Sequence, residues 1–161
     1  MQNNNSLSII LLAAGFGSRF KPVTRYLPKP LICVCGQSLI MRHIESLRFL
    51  KHQFVINIAY HANAFIAALG HQDVEIDFVY EITPQGVSQS LKSLASFVQS
   101  QQFLVVSSDL YITDYDQIEQ IARRRCQAVI VDRTSDYAGV ALLNRELLLT
   151  QDFSCFADIF Y

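Results

Sequence analysis

Short apolar runs alternate with longer amphipathic segments along most of the chain. The apolar runs have the length of strands and are bounded by turn residues, so they predict strands. The segments between them carry apolar residues at helical spacing and predict helices. The predicted strands are residues 7–13, 54–59, 74–80, 103–107, 127–131 and 137–143, with a short extended piece at 31–34. The predicted helices are residues 38–50, 62–69, 87–98, 114–124, 144–149 and 154–161.

This alternation predicts a Rossmann-like α/β domain, with a mostly parallel sheet and helices on both of its faces. Residues 103–107 are apolar on both faces and therefore predict a central strand. Ser38 and Asp114 stand at the first positions of two predicted helices and are expected to cap them. We treat residues 1–161 as a single domain, because this length is typical of one domain and no linker or repeat interrupts the pattern.

A glycine-containing loop directly follows the first predicted strand. The apolar residues 9–14 end at a Gly-Phe-Gly sequence that begins with Gly15, and a Pro-Lys-Pro sequence around Lys29 closes the segment. Such a loop brings backbone N–H groups against an anion, and Arg19 and Lys29 add positive charge at the same place. A Cβ there would hold the backbone away from a phosphate and penalise positive φ. The loop therefore predicts a site for the phosphates of a nucleotide.

Two better-known phosphate loops fit this segment less well. The dinucleotide fingerprint requires a third glycine at the position where Phe20 stands. The Walker P-loop requires a lysine followed by serine or threonine, and neither glycine of this loop is followed by that pair.

The loop resembles the opening motif of the sugar-phosphate nucleotidyltransferases, in which Leu-Ala-Ala-Gly-x-Gly-Ser/Thr-Arg is followed by a Pro, a Thr and Pro-Lys-Pro. The matching positions are Leu12, Ala13, Ala14, Gly15, Gly17, Ser18, Arg19, Pro22, Thr24, Pro28, Lys29 and Pro30. Weaker similarity continues at residues 36–47, 56–60, 85–91 and 104–109. The segments resemble enzymes for N-acetylmuramate, mannose or glucose 1-phosphate, and the spacing after Asp109 suits the N-acetylmuramate group. The resemblance implies the nucleotide-diphospho-sugar transferase type of α/β fold.

The resemblance also implies a reaction: a nucleoside monophosphate is transferred from a nucleoside triphosphate to a sugar-1-phosphate or similar phosphorylated small molecule, and pyrophosphate is released. This is an in-line displacement, so its catalysis is mostly positioning and charge neutralisation. By position in the motif, Arg19 holds the leaving pyrophosphate and Lys29 offsets charge on the α-phosphate. Asp109 is the implied ligand of Mg²⁺, a hard cation suited to carboxylate and phosphate oxygens.

The same resemblance implies which residues bind the nucleotide. They are Ala13, Ala14 and Gly15 at the base and ribose, Gly17 and Ser18 at the β- and γ-phosphates, and Gln85 and Gly86 at the edge of the base.

Two parts of the family's pattern have no match in this sequence. One is a Glu-Lys-Pro segment that helps to hold the sugar, and the other is a late second aspartate that shares the metal with the first. Three hypotheses follow: a pared-down active enzyme, a non-catalytic nucleotide-binding relative that acts as a regulatory or partner subunit, and a truncated inactive product. A nucleotide-sugar glycosyltransferase would show Asp-x-Asp, but Ser107 stands where the first acid belongs.

Charge and cysteine usage narrow the expected partners. The chain has 13 Lys and Arg residues against 14 Asp and Glu residues, which argues against nucleic acid or an anionic membrane as a partner. Residues 7–14, which are apolar apart from Ser8, are too few to span a bilayer, and no basic segment precedes them. We therefore expect a cytoplasmic protein. Aromatic residues near residue 161 leave open a homo-oligomer.

The four cysteines fit no zinc-site spacing and are expected to be small core residues.

Overall fold

The computed structural model describes residues 7–50, 53–84, 86–123, 128–131 and 137–150. The strands are β1 (Ser8–Leu12), β2 (Cys33–Val34), β3 (Gln37–Ser38), β4 (Phe54–Ile58), β5 (Ile76–Tyr80), β6 (Gln102–Ser107), β7 (Ala128–Val131) and β8 (Tyr137–Asn144). The α-helices are α1 (Leu39–Leu47), α2 (Ala62–Leu69), α3 (Val87–Ala95), α4 (Asp116–Ala122) and α5 (Arg145–Thr150). Short 3₁₀ turns lie at Ser18–Phe20, Val23–Arg25, Lys29–Leu31 and Arg48–Leu50.

Six of the described strands form one sheet in the order β5-β4-β1-β6-β8-β7. Neighbouring strands from β5 to β6 run parallel, whereas β8 runs antiparallel to both β6 and β7. The central position of β1 is fixed on both sides, since Ile9 pairs with Phe54 of β4 and with Leu104 of β6. The carboxyl ends of β5, β4, β1 and β6 therefore meet at one edge of the sheet. The strands β2 and β3 form a separate two-stranded hairpin.

Apolar side chains cover both faces of the sheet, as the sequence predicts. Along β1, Ile9 and Leu11 belong to one buried cluster and Ile10 belongs to the other, because successive side chains of a strand point to opposite faces. The first cluster includes side chains of α1, α2 and α4, and the second includes side chains of α3 and α5. The predicted Rossmann-like α/β class with a mostly parallel sheet is confirmed.

Most predicted elements are present, with small shifts at their ends. The β6 residues Phe103, Leu104, Val105 and Val106 are all fully buried, so the prediction of a central strand is confirmed. Ser38 caps α1, because its hydroxyl accepts a hydrogen bond from the backbone N–H of Met41 at 3.4 Å. The helix predicted at 154–161 lies outside the described residues.

Asp114 acts at the start of α4 as expected, although the helix begins two residues later than predicted. Its carboxylate accepts hydrogen bonds from the backbone N–H groups of Asp116 at 3.0 Å and Gln117 at 3.4 Å. These bonds satisfy backbone donors that the first turn of a helix leaves without partners.

The expectation that the cysteines are core residues is wrong for Cys33 and Cys35, which are exposed. They lie at the hairpin of β2 and β3, outside the main sheet, and Cys35 has φ 52°. The other two cysteines lie outside the described residues. Among the described helices, none combines the length and the apolar character that crossing a membrane requires.

The buried position of Phe54 in β4 gives a test of the fold. Its side chain is 0% exposed, whereas that of Phe49 is 47% exposed. We expect Phe54→Ala to lower the free energy of unfolding by about 3–5 kcal/mol, through lost burial and the cavity left behind. The matched change Phe49→Ala should stay within about 0.5 kcal/mol of the wild type. Urea unfolding followed by circular dichroism measures both, and equal losses would contradict the assigned core.

Candidate functional site

A cleft of about 230 Å³ lies at the edge of the sheet where the parallel strands end. It contains most of the residues that the sequence predicts for a nucleotide site, namely Ala13, Ala14, Gly15, Gly17, Lys29, Gly86 and Asp109. It also contains residues that the sequence analysis did not single out, among them Asn57, Glu81 and Ser90. The loop after β1, the start of α3 and the end of β6 are thus brought together around one space.

Two predicted site residues do not line the cleft. Ser18 and Arg19 lie in the exposed 3₁₀ turn Ser18–Phe20, next to the cleft but not among the residues that line it. Gln85 lies outside the described residues. The geometry therefore groups the predicted glycines with Lys29 and Asp109, and it leaves Arg19 at the rim.

The loop after β1 is shaped by a left-handed glycine and a buried threonine. Gly17 has φ 58°, and a Cβ built on it would come within 2.8 Å of Cγ2 of Thr24. The hydroxyl of Thr24 donates a hydrogen bond to the carbonyl of Gly17 at 2.9 Å. Phe16 stacks on Tyr60, which follows β4, with ring centroids 5.7 Å apart. These contacts fold the loop back on itself and present its backbone to the cleft.

An ion pair in the cleft joins Lys29 to Asp109. Nζ of Lys29 lies 2.6 Å from Oδ2 of Asp109, and the two side chains are 36% and 41% exposed. Pro28 and Pro30 flank the lysine at the 3₁₀ turn Lys29–Leu31 and restrict its backbone. Because the pair is partly exposed, its contribution to stability is small. The pair instead holds one positive and one negative charge in the cleft, where both are accessible to a ligand.

Asp109 is positioned by the residue that precedes it. Ser108 is 0% exposed, and its backbone N–H donates to the carbonyl of Leu12 at 3.1 Å. The hydroxyl of Ser108 donates to the same carbonyl. The end of β6 is thereby fastened to the end of β1, so Asp109 follows directly beside the glycine-containing loop.

A buried chain of hydrogen bonds connects the ends of β1, β4 and β5. The backbone N–H of Ala13 donates to Oδ1 of Asn57 at 2.7 Å, and Nδ2 of Asn57 donates to Oε1 of Glu81 at 2.8 Å. Asn57 is 3% exposed and Glu81 is 9% exposed. Neither residue is among the predicted site residues, although the sequence carries a signal for each. Asn57 interrupts an otherwise apolar strand, and Glu81 is an acid that directly follows β5, much as Asp109 lies two residues beyond β6.

A buried histidine lies beneath the segment that follows Asp109. His43 of α1 is 0% exposed, and its Nδ1 lies 2.9 Å from the hydroxyl of Tyr115. Burial lowers the pKa of His43 from 6.5 to about 4, although the backbone of Leu110 opposes the shift. His43 therefore acts near neutral pH as an uncharged residue that supports this segment.

Comparison with known proteins gives matches to most of the chain. The model of the family described as nucleotidyl transferase matches residues 8–137. A mannose-1-phosphate guanyltransferase of Emericella nidulans is 31% identical over 116 residues, which are 68% of this chain and 32% of that protein. An N-acetylmuramate alpha-1-phosphate uridylyltransferase of Neisseria meningitidis is 33% identical over 115 residues, which are 68% of this chain and 49% of that protein. The chain thus spans about a third of the fungal relative and about half of the bacterial one.

Solved structures share the fold over most of the chain. HddC from Yersinia pseudotuberculosis has a TM-score of 0.72 at 19% identity, covering 96% of this chain and 84% of its own. The inositol-1-phosphate CTP transferase from T. maritima has a TM-score of 0.72 at 19% identity, covering 92% and 76%. At these identities the likeness establishes a common fold.

The two glycines of the loop give a matched prediction. Nothing lies within 4 Å of a Cβ built on Gly15, whereas Gly17 has positive φ and a close neighbour in Thr24. We expect Gly17→Ala to lower the free energy of unfolding by about 1–3 kcal/mol, because the side chain strains the backbone and crowds Thr24. Gly15→Ala should change it by less than about 0.5 kcal/mol. Thermal and urea unfolding compare the two variants, and equal effects would refute the loop geometry.

The buried state of His43 predicts a pH dependence of stability. The folded chain keeps this histidine neutral down to about pH 4, whereas the unfolded chain protonates it near pH 6.5. The unfolded state therefore binds more protons between these values, and the free energy of unfolding falls as the pH is lowered. We expect His43 to account for a loss of up to about 3 kcal/mol between pH 7 and pH 4.

Urea unfolding at a series of pH values measures this dependence in the wild type and in His43→Gln. The variant should lose stability less steeply over the same interval, because glutamine does not titrate. The same slope in both proteins would show that His43 titrates normally in the folded state.

Proposed function

The chain belongs to the nucleotidyl transferase family, and we propose that it transfers a nucleoside monophosphate from a nucleoside triphosphate to a sugar-1-phosphate, releasing pyrophosphate. The observation that carries the proposal is the Lys29–Asp109 pair, which lies beside a glycine-containing loop in a cleft at the carboxyl ends of parallel strands. This arrangement presents backbone N–H groups, a cation and a carboxylate to one ligand, as a triphosphate bound with a metal requires. The names of the two relatives specify mannose-1-phosphate and N-acetylmuramate α-1-phosphate, which supports a sugar-1-phosphate as the acceptor.

The reaction proceeds by one displacement at the α-phosphorus. An oxygen of the acceptor phosphate forms a bond to that phosphorus, and the bond to the oxygen that bridges the α- and β-phosphates breaks. The departing pyrophosphate takes the electron pair. The attacking group is already an anion, so the chain is required to align the two phosphates and to reduce their mutual repulsion rather than to remove a proton.

Lys29 and Asp109 exchange partners when the nucleotide binds. Lys29 leaves Asp109 and approaches the α-phosphate, where its charge offsets the charge that grows during the displacement. Separating the pair costs little free energy, because both side chains are more than a third exposed and their mutual attraction is weak in water. Gly17 and Ser18 present backbone N–H groups to the β- and γ-phosphates. Arg19 reaches from the rim of the cleft to the leaving pyrophosphate.

The residues present fit a magnesium ion that arrives with the nucleotide. Asp109 offers a carboxylate inside the cleft, and carboxylate and phosphate oxygens are the ligands that Mg²⁺ prefers. Within the described residues no group of three or more histidine, cysteine, aspartate and glutamate side chains forms a metal site. Asp109 would hold the ion together with phosphate oxygens of the nucleotide. When bound, the ion supplies further neutralisation of phosphate charge.

The nucleoside occupies the part of the cleft between β1 and the start of α3. Ala14 and Gly15 offer backbone groups to the ribose, and Gly86 allows close approach of the base because it has no side chain. The N–H of Ala13 is already bound to Asn57, so Ala13 has its carbonyl and its methyl group left for the ligand. Gln85 precedes Gly86 in the sequence and contacts the edge of the base. The reaction is placed in the cytoplasm, where nucleoside triphosphates are available.

Removal of the cleft lysine tests the binding step. We expect Lys29→Ala to weaken the binding of a nucleoside triphosphate in the presence of Mg²⁺ by about tenfold to a hundredfold, because it removes a charge-assisted contact. Arg19→Ala should weaken binding or lower turnover. Arg48→Ala, which removes an exposed charge at the end of α1, serves as the control and should bind as the wild type does. Isothermal titration calorimetry with each of the four common triphosphates measures these affinities.

Turnover separates an enzyme from a nucleotide-binding relative. We expect pyrophosphate release when mannose 1-phosphate, glucose 1-phosphate or N-acetylmuramate α-1-phosphate is added to the protein with Mg²⁺ and the triphosphate that binds most tightly. An enzyme-coupled phosphate assay with inorganic pyrophosphatase follows the reaction, and Asp109→Asn should reduce the rate by at least about a hundredfold. Tight binding with no pyrophosphate release from any acceptor would favour a binding subunit over an enzyme.

A further inference from the structure

Two exposed cysteines lie close together on the hairpin of β2 and β3. Cys33 belongs to β2, and Cys35 stands at the turn that follows this strand. Cysteine is one of the most frequently buried residue types, so two exposed thiols on one hairpin call for an explanation. Exposed thiols are also the most accessible to oxidation. Neither cysteine is among the residues that line the cleft, and the proposed reaction does not use them.

We propose that Cys33 and Cys35 form a reversible dithiol–disulfide site, which a small disulfide such as glutathione disulfide oxidises, and that its oxidation weakens the binding of a nucleotide in the cleft. The first part of this inference concerns the hairpin alone. The second part rests on the proposed function, because it requires a nucleotide in the cleft.

The spacing of the two cysteines permits a disulfide within the hairpin. Val34 between them is extended, so their Cα atoms lie about 6.4–6.8 Å apart. Disulfides join Cα atoms that are about 4.4–6.8 Å apart, so this bond closes near the upper limit and draws β2 slightly together. The hairpin offers little resistance, because it consists of two residue pairs, Cys33 with Ser38 and Val34 with Gln37. A bond formed near the limit of reach is strained and readily reduced, as a reversible site requires.

The turn of the hairpin also favours a change at Cys35. Cys35 and Gly36 form a two-residue turn between paired strands, and their φ angles are 52° and 84°. Positive φ at both positions is the pattern of a type I′ turn, which prefers asparagine followed by glycine. A cysteine is disfavoured at the first position, because its Cβ is crowded in the left-handed conformation. The backbone of Cys35 can therefore leave this conformation when the disulfide forms.

Oxidation proceeds by two thiol–disulfide exchanges. The thiolate of one cysteine attacks a sulfur of glutathione disulfide, forms a mixed disulfide and releases one glutathione thiolate. The thiolate of the other cysteine then attacks the protein sulfur of the mixed disulfide and releases the second glutathione. The two cysteines lose two protons and two electrons, and glutathione disulfide gains the electrons. Excess reduced glutathione reverses both steps.

The hairpin is connected to both members of the Lys29–Asp109 ion pair. The N–H of Ile32, directly before β2, donates a hydrogen bond to the carbonyl of Lys29 at 3.1 Å. On the other side, the hydroxyl of Tyr111 lies 4.0 Å from Sγ of Cys35, and Tyr111 follows Asp109 by two positions. A change in the hairpin therefore reaches the cation through β2 and the carboxylate through Tyr111.

Tyr111 is held between the hairpin and α1. The guanidinium of Arg42 lies 4.6 Å from the centroid of the Tyr111 ring, and Nε of Arg42 donates to the carbonyl of Ile112 at 3.3 Å. Movement of Cys35 during oxidation removes the contact on one side of this ring. The segment after Asp109 then shifts relative to Lys29, and the two charges match a nucleotide with its metal ion less well. Oxidation accordingly weakens binding.

Thermodynamic reciprocity gives the coupling a second consequence. If oxidation weakens nucleotide binding by some factor, a bound nucleotide must shift the dithiol–disulfide equilibrium toward the dithiol by the same factor. Coupling between two sites in one protein typically amounts to about 5-fold to 150-fold. We therefore expect the oxidised protein to bind a nucleoside triphosphate at least about fivefold more weakly than the reduced protein does.

The disulfide is tested by mass spectrometry of one tryptic peptide. Residues 26–42 contain Cys33 and Cys35 and no other cysteine, and Pro30 protects the bond after Lys29 from trypsin. The protein is equilibrated in mixtures of reduced and oxidised glutathione and its thiols are blocked with iodoacetamide. We expect this peptide to lose two hydrogen atoms and to carry no alkyl group in oxidising mixtures, and to be alkylated twice in reducing ones. A peptide that stays doubly alkylated, or that only gains glutathione, would overturn the inference.

The coupling is tested by calorimetry with Mg²⁺ and the four common triphosphates on the reduced and the oxidised wild type. The oxidised protein should bind at least about fivefold more weakly, and dithiothreitol should restore the affinity. Addition of the nucleotide should raise the glutathione disulfide needed for half oxidation by the same factor. Equal affinities of the two forms would overturn the coupling and leave the proposed function standing. Failure of every triphosphate to bind the reduced protein would overturn the proposed function together with the coupling, while the peptide still decides the disulfide.

The matched control is the double variant Cys33→Ser and Cys35→Asn, which has no thiol in the hairpin. Asparagine suits the left-handed turn position and offers a polar group to Tyr111. The variant should bind the nucleotide as the reduced wild type does and should keep that affinity in oxidising mixtures, and thermal unfolding verifies that it is folded. It retains Cys126 and Cys155, so a loss of affinity on oxidation equal to that of the wild type would assign the effect to those cysteines and overturn the coupling.

Discussion

The site depends on one contact, the ion pair between Lys29 and Asp109. It joins residues that are 80 positions apart in the sequence and sets the loop after β1 against the end of β6. Other features of the fold converge on this contact. The prolines beside Lys29 restrict the backbone on one side, and the hydrogen bonds of Ser108 to Leu12 fasten the backbone on the other. The parallel pairing of β1 with β6 places both ends at the same edge of the sheet.

The pair is arranged for exchange rather than for stability. A partly exposed ion pair contributes little to folding, because water solvates the separated charges almost as well. The same exposure makes each partner available to a ligand with charges of both signs, such as a triphosphate carrying a metal ion. The neighbouring Ala13–Asn57–Glu81 chain is arranged differently: it is buried, and Asn57 is hydrogen-bonded to both of the other residues. The cleft thus combines an exposed pair of opposite charges with a buried chain of hydrogen bonds.

Much of the fold could be predicted from the sequence, because the apolar runs are clear along β1, β4 and β6 and the helical spacing is clear along α1. The antiparallel placement of β8 between β6 and β7 could not, since strand order depends on contacts between distant segments. The same dependence on contacts between distant segments explains why some residues of the cleft were not predicted. Motif positions identified Lys29 and Asp109, whereas the only sequence signal for Glu81 is that it follows a strand, and its place in the cleft depends on where β5 ends. Cysteine is a residue type that is often buried in protein cores, but Cys33 and Cys35 lie on an exposed hairpin.

The central claim is that a bound nucleotide takes Lys29 from Asp109. The most direct measurement is a crystal structure of the protein with Mg²⁺ and a triphosphate analogue that resists transfer. The account predicts that Nζ of Lys29 lies within hydrogen-bond distance of the α-phosphate, with the carboxylate of Asp109 turned to the metal ion. A nucleotide bound in the cleft with the 2.6 Å contact between Lys29 and Asp109 intact, or a nucleotide bound elsewhere on the chain, would contradict it.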